Sequence, residues 1–330
     1  TPLREPRSMR VLSGVQPSGK LHIGNYFGMM KPALALQDAG HEVFLFIASY
    51  HAQTTVRDPS LLRDYTRGVA LDFLACGLDP SRTTFYRQND VPEVHELAWL
   101  LSVVCPMGLL ERAHSYKDKT SRGVDANHAL FAYPVLMAAD ILCVNADIVP
   151  VGRDQKQHLE IARDLAGKFN REYGCEVFKL PDPMIREEVA VVPGIDGQKM
   201  SKSYGNTIDI FSPANEARKT IMKVKTDSTP LEEPKNPDTC NVFALYKLFA
   251  DEAEAAALAA RYRAGGMGYG EAKKALAEKF ETWFAPFRER RAYLESKPDE
   301  VEDVLRAGAA RARATIQPIL SAARLAVGLE

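Results

Sequence analysis

The chain has 330 residues, 46% of them apolar and 26% charged, a globular composition that excludes a disordered or collagen-like polypeptide. Lys and Arg total 42 against 43 Asp and Glu, balanced on both sides of residue 206, so neither half holds nucleic acid by bulk charge and such a partner needs a local patch. No apolar run approaches the roughly 18 residues of a membrane span, the start Thr1-Pro2-Leu3-Arg4-Glu5 lacks a signal-peptide core, and the length suits two domains.

Residues 9–15 read as a short apolar strand, broken by Gln16-Pro17-Ser18-Gly19. Ile23, Phe27, Met30 and Leu34 follow at helical spacing, and Gly40 is suited to end that helix. Residues 43–48 are apolar at every position, as in a strand of a parallel sheet covered on both faces. Asp58 then serves as N-cap and Pro59 as the first residue of a helix whose buried stripe is Leu62, Tyr65, Val69, Phe73 and Cys76. Residues 83–87 are the third strand. This alternation predicts a doubly wound, Rossmann-like α/β domain.

Trp99, Leu100, Leu101, Val103 and Val104 are apolar nearly all round their helix, which therefore lies deep in the core or at a subunit contact. A helix over 134–142 and a strand over 148–151 come next. Pro230, Pro234 and Pro237 mark 226–238 as a loop or hinge. Past it the strand signal ends, and Leu276, Phe280, Trp283, Phe284 and Phe287 recur at helical spacing. The expected division is a catalytic domain over 9–205 and an all-helical domain over 206–330, whose last helix packs back on the first. The five cysteines form no C-x-x-C pair, so spacing indicates no zinc or iron–sulfur site. Scattered free thiols fit a reducing compartment, and a cytoplasmic location is expected.

Two segments carry chemistry. His22-Ile23-Gly24-Asn25 opens the first helix after the first strand, where free N–H groups and the helix dipole favour phosphate and Gly24 lets a flat ring approach the backbone. Lys199-Met200-Ser201-Lys202-Ser203 lies between Gly194, Gly197 and Gly205, which puts two ammonium groups on a loop. Either segment alone reads as an ordinary cap or a solvated surface. Together, in this order and in an α/β chain, they resemble the two signature motifs of class I aminoacyl-tRNA synthetases. Residues 14–28, the stretch Tyr133-Pro134-Val135-Leu136-Met137-Ala138-Ala139-Asp140 and the stretch Val151-Gly152-Arg153-Asp154-Gln155-Lys156-Gln157-His158 are similar to the bacterial tryptophanyl branch of that family.

The residues agree with that resemblance. Tyr133, Met137 and Asp140 share one helix face, and a carboxylate among Met137, Ala138, Ala139 and Ile141 needs a donor. The resemblance implies that Asp140 accepts the indole N–H of tryptophan, a donor-only group. It further implies that Tyr133 and Gln155 hold the amino-acid head group and that Met137 and His51 line the pocket. Gln16, Pro17, Ser18, Gly24, Asn25, Gly152, Arg153 and Asp154 would contact ATP, bound with Mg2+, together with Lys199, Met200, Ser201, Lys202 and Ser203. His22, Lys199, Lys202 and Lys117 would stabilise charge on the phosphates. The implied partners are tryptophan, tRNA(Trp) and a second copy of the chain, with no membrane and no resident metal.

Ser49, Leu12 and Arg153 depart from the residues usual in that branch. They leave room for a divergent tryptophan-adenylate-binding paralogue that acts mainly through a protein partner. The other alternative is a tyrosine-specific synthetase, which shares both signature motifs but is disfavoured by Met137-Ala138-Ala139-Asp140 and Asp154-Gln155-Lys156-Gln157-His158. The helical residues that read an anticodon are not legible.

Overall fold

A computed structural model describes residues 8–113, 127–152, 155–185 and 191–330. Its centre is a parallel five-stranded sheet in the order β3-β2-β1-β4-β5. The strands are β1 (Arg10–Val15), β2 (Glu42–Ile47), β3 (Thr83–Arg87), β4 (Ile148–Val151) and β5 (Asp182–Ile185). Val11 and Leu12 pair with Val43 and Phe44, and Val11 also pairs with Ile148 on the other side. The strand order reverses between β1 and β4, so a crevice opens past the carboxyl ends of these two strands, where open α/β sheets bind ligands.

The first helix has the expected length but is less regular than its spacing predicts. It consists of α1 (Ile23–Asn25), a π-helical segment (Tyr26–Met30) and α2 (Lys31–Asp38). The wide turn brings Tyr26, Phe27 and Met30 all into the core. Then come α3 (Ser49–Ala52) and α4 (Pro59–Ala75), the latter capped by Asp58 as expected. Next are α5 (Glu93–Val104), α6 (Met107–Glu111), α7 (His128–Leu142) and α8 (Lys156–Glu172). Helix α7 starts at His128, not at Pro134. Pro134 lies inside it, because Asn127 caps the helix by accepting the Leu130 N–H. Strand β5 is short and carries Pro183, and it has no clear sequence signal.

After residue 206 the described elements are helical: α9 (Ala214–Ile221), α10 (Asn241–Tyr246), α11 (Glu252–Ala264), α12 (Tyr269–Glu295) and α13 (Pro298–Val327). They do not form an independent body. Tyr26 and Phe27 of the first helix meet Phe284 and Phe249 edge to face at 5.1 and 5.2 Å, and the Trp283 indole donates to the Tyr26 hydroxyl. Asp72 of α4 pairs with Arg291 of α12 at 2.6 Å. No helix of the described residues is long and apolar enough to cross a membrane.

Helix α13 lies directly on β3. Arg87 makes a two-pronged contact with Glu302 at 2.5 and 2.9 Å, and Arg311 donates to the carbonyls of Pro80 and Thr83. Arg313 and Arg324 tie the same helix to Glu93 and Glu96 of α5. The approach is closest at Gly308, where a Cβ would stand 1.7 Å from the Phe85 carbonyl oxygen. Backbone cannot yield as a flexible side chain does, so the helix would have to lift. Gly308→Ala is therefore expected to cost about 3 kcal/mol by overpacking. Calorimetry should show a melting temperature several degrees lower, and an unchanged melting point would contradict the close contact.

Candidate active site

The crevice carries two clusters, one at the exits of β2 and β3 and one on the loop that leaves β1. The first gathers around Asp140, in the last turn of α7 and almost fully buried. Its neighbours on the helix are apolar, so the carboxylate depends on hydrogen bonds from elsewhere. Gln88, in the 3-10 turn that follows β3, donates its amide to both oxygens at 2.8 and 3.0 Å. His51 of α3 places Nε2 2.7 Å from Oδ2; against a carboxylate, that nitrogen carries the hydrogen. The His51 ring also meets Tyr133 edge-on at 6.2 Å. Tyr133, His51 and Asp140 thus come together as the sequence predicts, with Met137 half-buried beside them on the same helix.

The Tyr133 hydroxyl lies 2.6 Å from His158 Nε2 of α8, a contact that the sequence did not suggest. Gln155 is exposed at the start of α8, its N–H bonded to the Gly152 carbonyl. Gly152 directly follows the end of β4. Arg153, Asp154 and Lys117 lie outside the described residues. Of the residues that depart from the branch, Leu12 is core, and Ser49 is buried with its hydroxyl donating to Asn89 at 2.8 Å.

The second cluster joins the two signature segments. Ile23 N–H donates to the Ile208 carbonyl and Ile210 N–H to that of Leu21, so the stretch after the lysine loop runs alongside the start of α1. His22 caps α1: its Nδ1 accepts the Asn25 N–H while the Asn25 side chain accepts the His22 N–H. The imidazole hydrogen is then on Nε2. Gly24 lies flat beneath that ring, a Cβ there coming within 3.0 Å of it and 3.5 Å of the Met200 Cβ. Lys202 Nζ donates to the carbonyls of Ser18 and Gly19 at 3.3 and 3.0 Å. Gln16 reaches the other way, to the His51 carbonyl, and links the two clusters. Pro17 is buried, whereas Ser18, Lys199 and Ser203 are exposed.

Asn206 organises the lysine loop and was missed in the sequence. Its amide donates to Asp196 and to the Lys199 carbonyl, and its oxygen accepts the Ser201 N–H. Gly194 packs so closely that a Cβ would meet the Asn206 amide at 2.3 Å. Burial and the nearby Lys202 ammonium lower the His22 pKa to about 4. The imidazole is neutral at physiological pH and offers one N–H to the crevice. Burial also lowers the Lys202 pKa, against the opposing pull of Asp72 and Asp209. The arrangement presents N–H and ammonium donors on one side and a buried carboxylate on the other, which suits a phosphate-bearing ligand next to one with a ring donor.

Residues 4–285 match the family model described as tRNA synthetases class I (W and Y). The chain is 53% identical over 321 residues to the tryptophan–tRNA ligase of Rhodopirellula baltica, covering 97% of this chain and 100% of that one. It is 51% identical over 320 residues to the corresponding ligase of Fusobacterium nucleatum, covering 97% and 98%. The crystal structure of tryptophanyl-tRNA synthetase from Campylobacter jejuni complexed with ADP and tryptophan superposes with a TM-score of 0.92 at 51% identity, over 97% of this chain and 100% of that one.

The low pKa of His22 has a sign that can be tested. An unfolded chain protonates histidine near pH 6.5 and the folded one only near 4. The unfolded state therefore binds the extra proton between these values, and stability falls as the pH drops through that window. His22→Asn keeps a capping acceptor but removes the titration. Between pH 7.5 and 5, urea unfolding should show the parent losing about 1 kcal/mol more stability than the variant, after allowance for solvent screening. Equal losses would show that His22 is not held neutral.

Proposed function

This chain belongs to the class I tRNA synthetases of the tryptophan and tyrosine group, and we infer that it activates L-tryptophan with ATP and transfers it to tRNA(Trp). It is an enzyme, a ligase that forms AMP and diphosphate. The tryptophan carboxylate attacks the α-phosphorus of ATP, taken as its Mg2+ complex, and the bond to the pyrophosphate breaks. The 3′-terminal adenosine of the tRNA then attacks the carbonyl of tryptophanyl-adenylate, releasing AMP.

Such chemistry rests on positioning and charge stabilisation. In our assignment Lys202 and Lys199 neutralise charge on the leaving pyrophosphate, and His22 donates its Nε2 hydrogen to a phosphate oxygen. Lys117 belongs to the same group by the resemblance alone. Gln16, Pro17, Ser18, Gly24, Asn25, Gly152, Arg153, Asp154, Met200, Ser201 and Ser203 form the nucleotide side. Tyr133, Met137, Gln155 and His51 surround the amino acid. We assign residues 206–330 to tRNA recognition, apart from α13, whose contacts with β3 and α5 make it a support of the sheet. A cytoplasmic setting follows from the same reading.

The observation that carries the tryptophan assignment is the buried Asp140 carboxylate, an acceptor for a ring N–H. That bond is charge-assisted and worth about 1.5–3 kcal/mol. Asp140→Ala should weaken tryptophan binding roughly ten- to a hundredfold while ATP affinity changes little. The test compares tryptophan with an analogue bearing sulfur in place of the ring N–H, in ATP–pyrophosphate exchange. The parent should discriminate strongly and the variant weakly. Equal ratios would remove Asp140 as the reader of the ring nitrogen.

A dimer is part of the proposal. Trp99, Val103 and Met107 are 70%, 63% and 63% exposed on α5 and α6, forming an apolar face next to a cavity of about 260 Å³ that includes His51 and Tyr133 in its lining. Covered by a second copy, that face would support the amino-acid side of each site. Sedimentation at micromolar concentration should give twice the chain mass, and Trp99→Glu should give the monomer. A monomeric parent would overturn the claim.

A further inference from the structure

Gln88 is fully buried, yet nothing in the chemistry of tryptophan activation calls for an amide there. It begins the turn that follows β3, and both ends of its side chain are engaged. The oxygen accepts the Tyr50 N–H at 3.0 Å. That backbone group can only donate, so the orientation of the amide is fixed and its NH2 must face Asp140. There it spans both carboxylate oxygens at 2.8 and 3.0 Å.

Three consequences follow. The Asp140 carboxylate is held at a set rotation by a donor that contacts both oxygens. It is kept a pure acceptor, because neither Gln88 nor the His51 nitrogen on Oδ2 asks a hydrogen of it. And α3, which carries His51 one residue past Tyr50, is locked to the same amide. A carboxylate has about four acceptor sites, so these contacts leave capacity for one more N–H, directed by the rotation that Gln88 imposes.

We propose that Gln88 is a specificity-determining positioning residue: it sets the orientation and acceptor character of Asp140, and thereby the preference for a substrate ring that bears an N–H. The inference rests on the tryptophan reading above. Gln88 touches no substrate and acts through Asp140.

Two variants test it. Gln88→Glu is nearly isosteric and keeps an acceptor for Tyr50, but sets a second carboxyl against Asp140. Like charges at this distance share a proton. At pH 8 the KM for tryptophan should rise about tenfold or more, and it should recover in part near pH 6, where the new carboxylic acid can donate as the amide did. The KM for ATP and kcat at saturating tryptophan should stay close to those of the parent. Gln88→Met keeps the volume and removes the donor. It should reduce discrimination between tryptophan and the sulfur analogue to a few-fold.

A KM for tryptophan in Gln88→Glu that matches the parent at both pH values would overturn the proposal, as would parental discrimination in Gln88→Met. A purely structural role predicts a lower melting temperature with no pH dependence of KM and an unaltered tryptophan-to-analogue ratio. If the parent itself does not discriminate, the tryptophan reading fails and this inference with it. If the parent discriminates and both Gln88 variants do too, only the present inference fails.

Discussion

A carboxylate has been put where water does not reach, and much of the amino-acid half of the site follows from meeting its needs. An uncompensated charge at Asp140 would cost several kcal/mol. Its donors cannot come from α7, whose own N–H groups are used within the helix. They come from the exits of the two strands beyond β1: Gln88 after β3 and His51 after β2. Each exit must then be fixed in turn. Ser49 and Asn89 exchange hydrogen bonds across them, Asn89 donates to Asp90, and Asp90 pairs with Arg87. Arg87 ends the chain of contacts on Glu302 of the last helix. The close seating of Gly308 on Phe85 thus lies two residues from the arginine that braces the pocket.

The nucleotide half is built on a different principle. Its donors sit on loops with few apolar contacts, and hydrogen bonds from Asn206 hold the lysine loop in shape. Met200 is an apolar anchor there, buried against the glycine of the first motif. The pairing of residues 208–210 with the start of α1 fixes the loop's end but leaves its lysine-bearing middle outside any strand or α-helix. Loops of this kind open at lower free energy than core elements do.

Much of this was legible in the residues. Strands β1 to β4 were bounded within about a residue. Of these, β2 and β4 are nearly continuous apolar runs, as parallel strands covered on both faces are, and β1 and β3 are short, partly apolar segments set off by turn residues. The cap at Asp58 and the shared face of Tyr133, Met137 and Asp140 follow from fixed helical geometry. What was illegible depends on tertiary contact. Pro134 looks like a helix start, yet the Asn127 cap places that start earlier. The π-helical segment shifts the inward face, so that Tyr26 is buried and Leu34 only half-buried, a shift that spacing does not reveal. Gln88 and Asn206 are polar residues in unremarkable sequence. Position after a strand end was the one hint for Gln88; for Asn206 it was the glycines around it. Ser49 reads only as a departure, but with Asn89 opposite it forms a neutral pair that adds no second charge near Asp140.

The two halves place their tension differently, and this bears on which step each can accelerate. Asp140 has its donors before any ligand arrives, so a ring N–H adds one bond to an already satisfied group and is felt equally in ground and transition states. That kind of contact sets affinity and selectivity, not rate. Lys202 is engaged otherwise. Its ammonium is partly desolvated and rests on two neutral carbonyls, those of Ser18 and Gly19. In our assignment, exchanging them for phosphate oxygens replaces dipoles by full charges, and the gain is largest when the α–β phosphate bond breaks and charge collects on the pyrophosphate. His22, neutral and with one N–H to give, follows the same logic on a smaller scale. In our assignment specificity therefore resides in the braced half and rate in the loop half, and Gln16, bonded to the His51 carbonyl from the first loop, is a direct side-chain link between them.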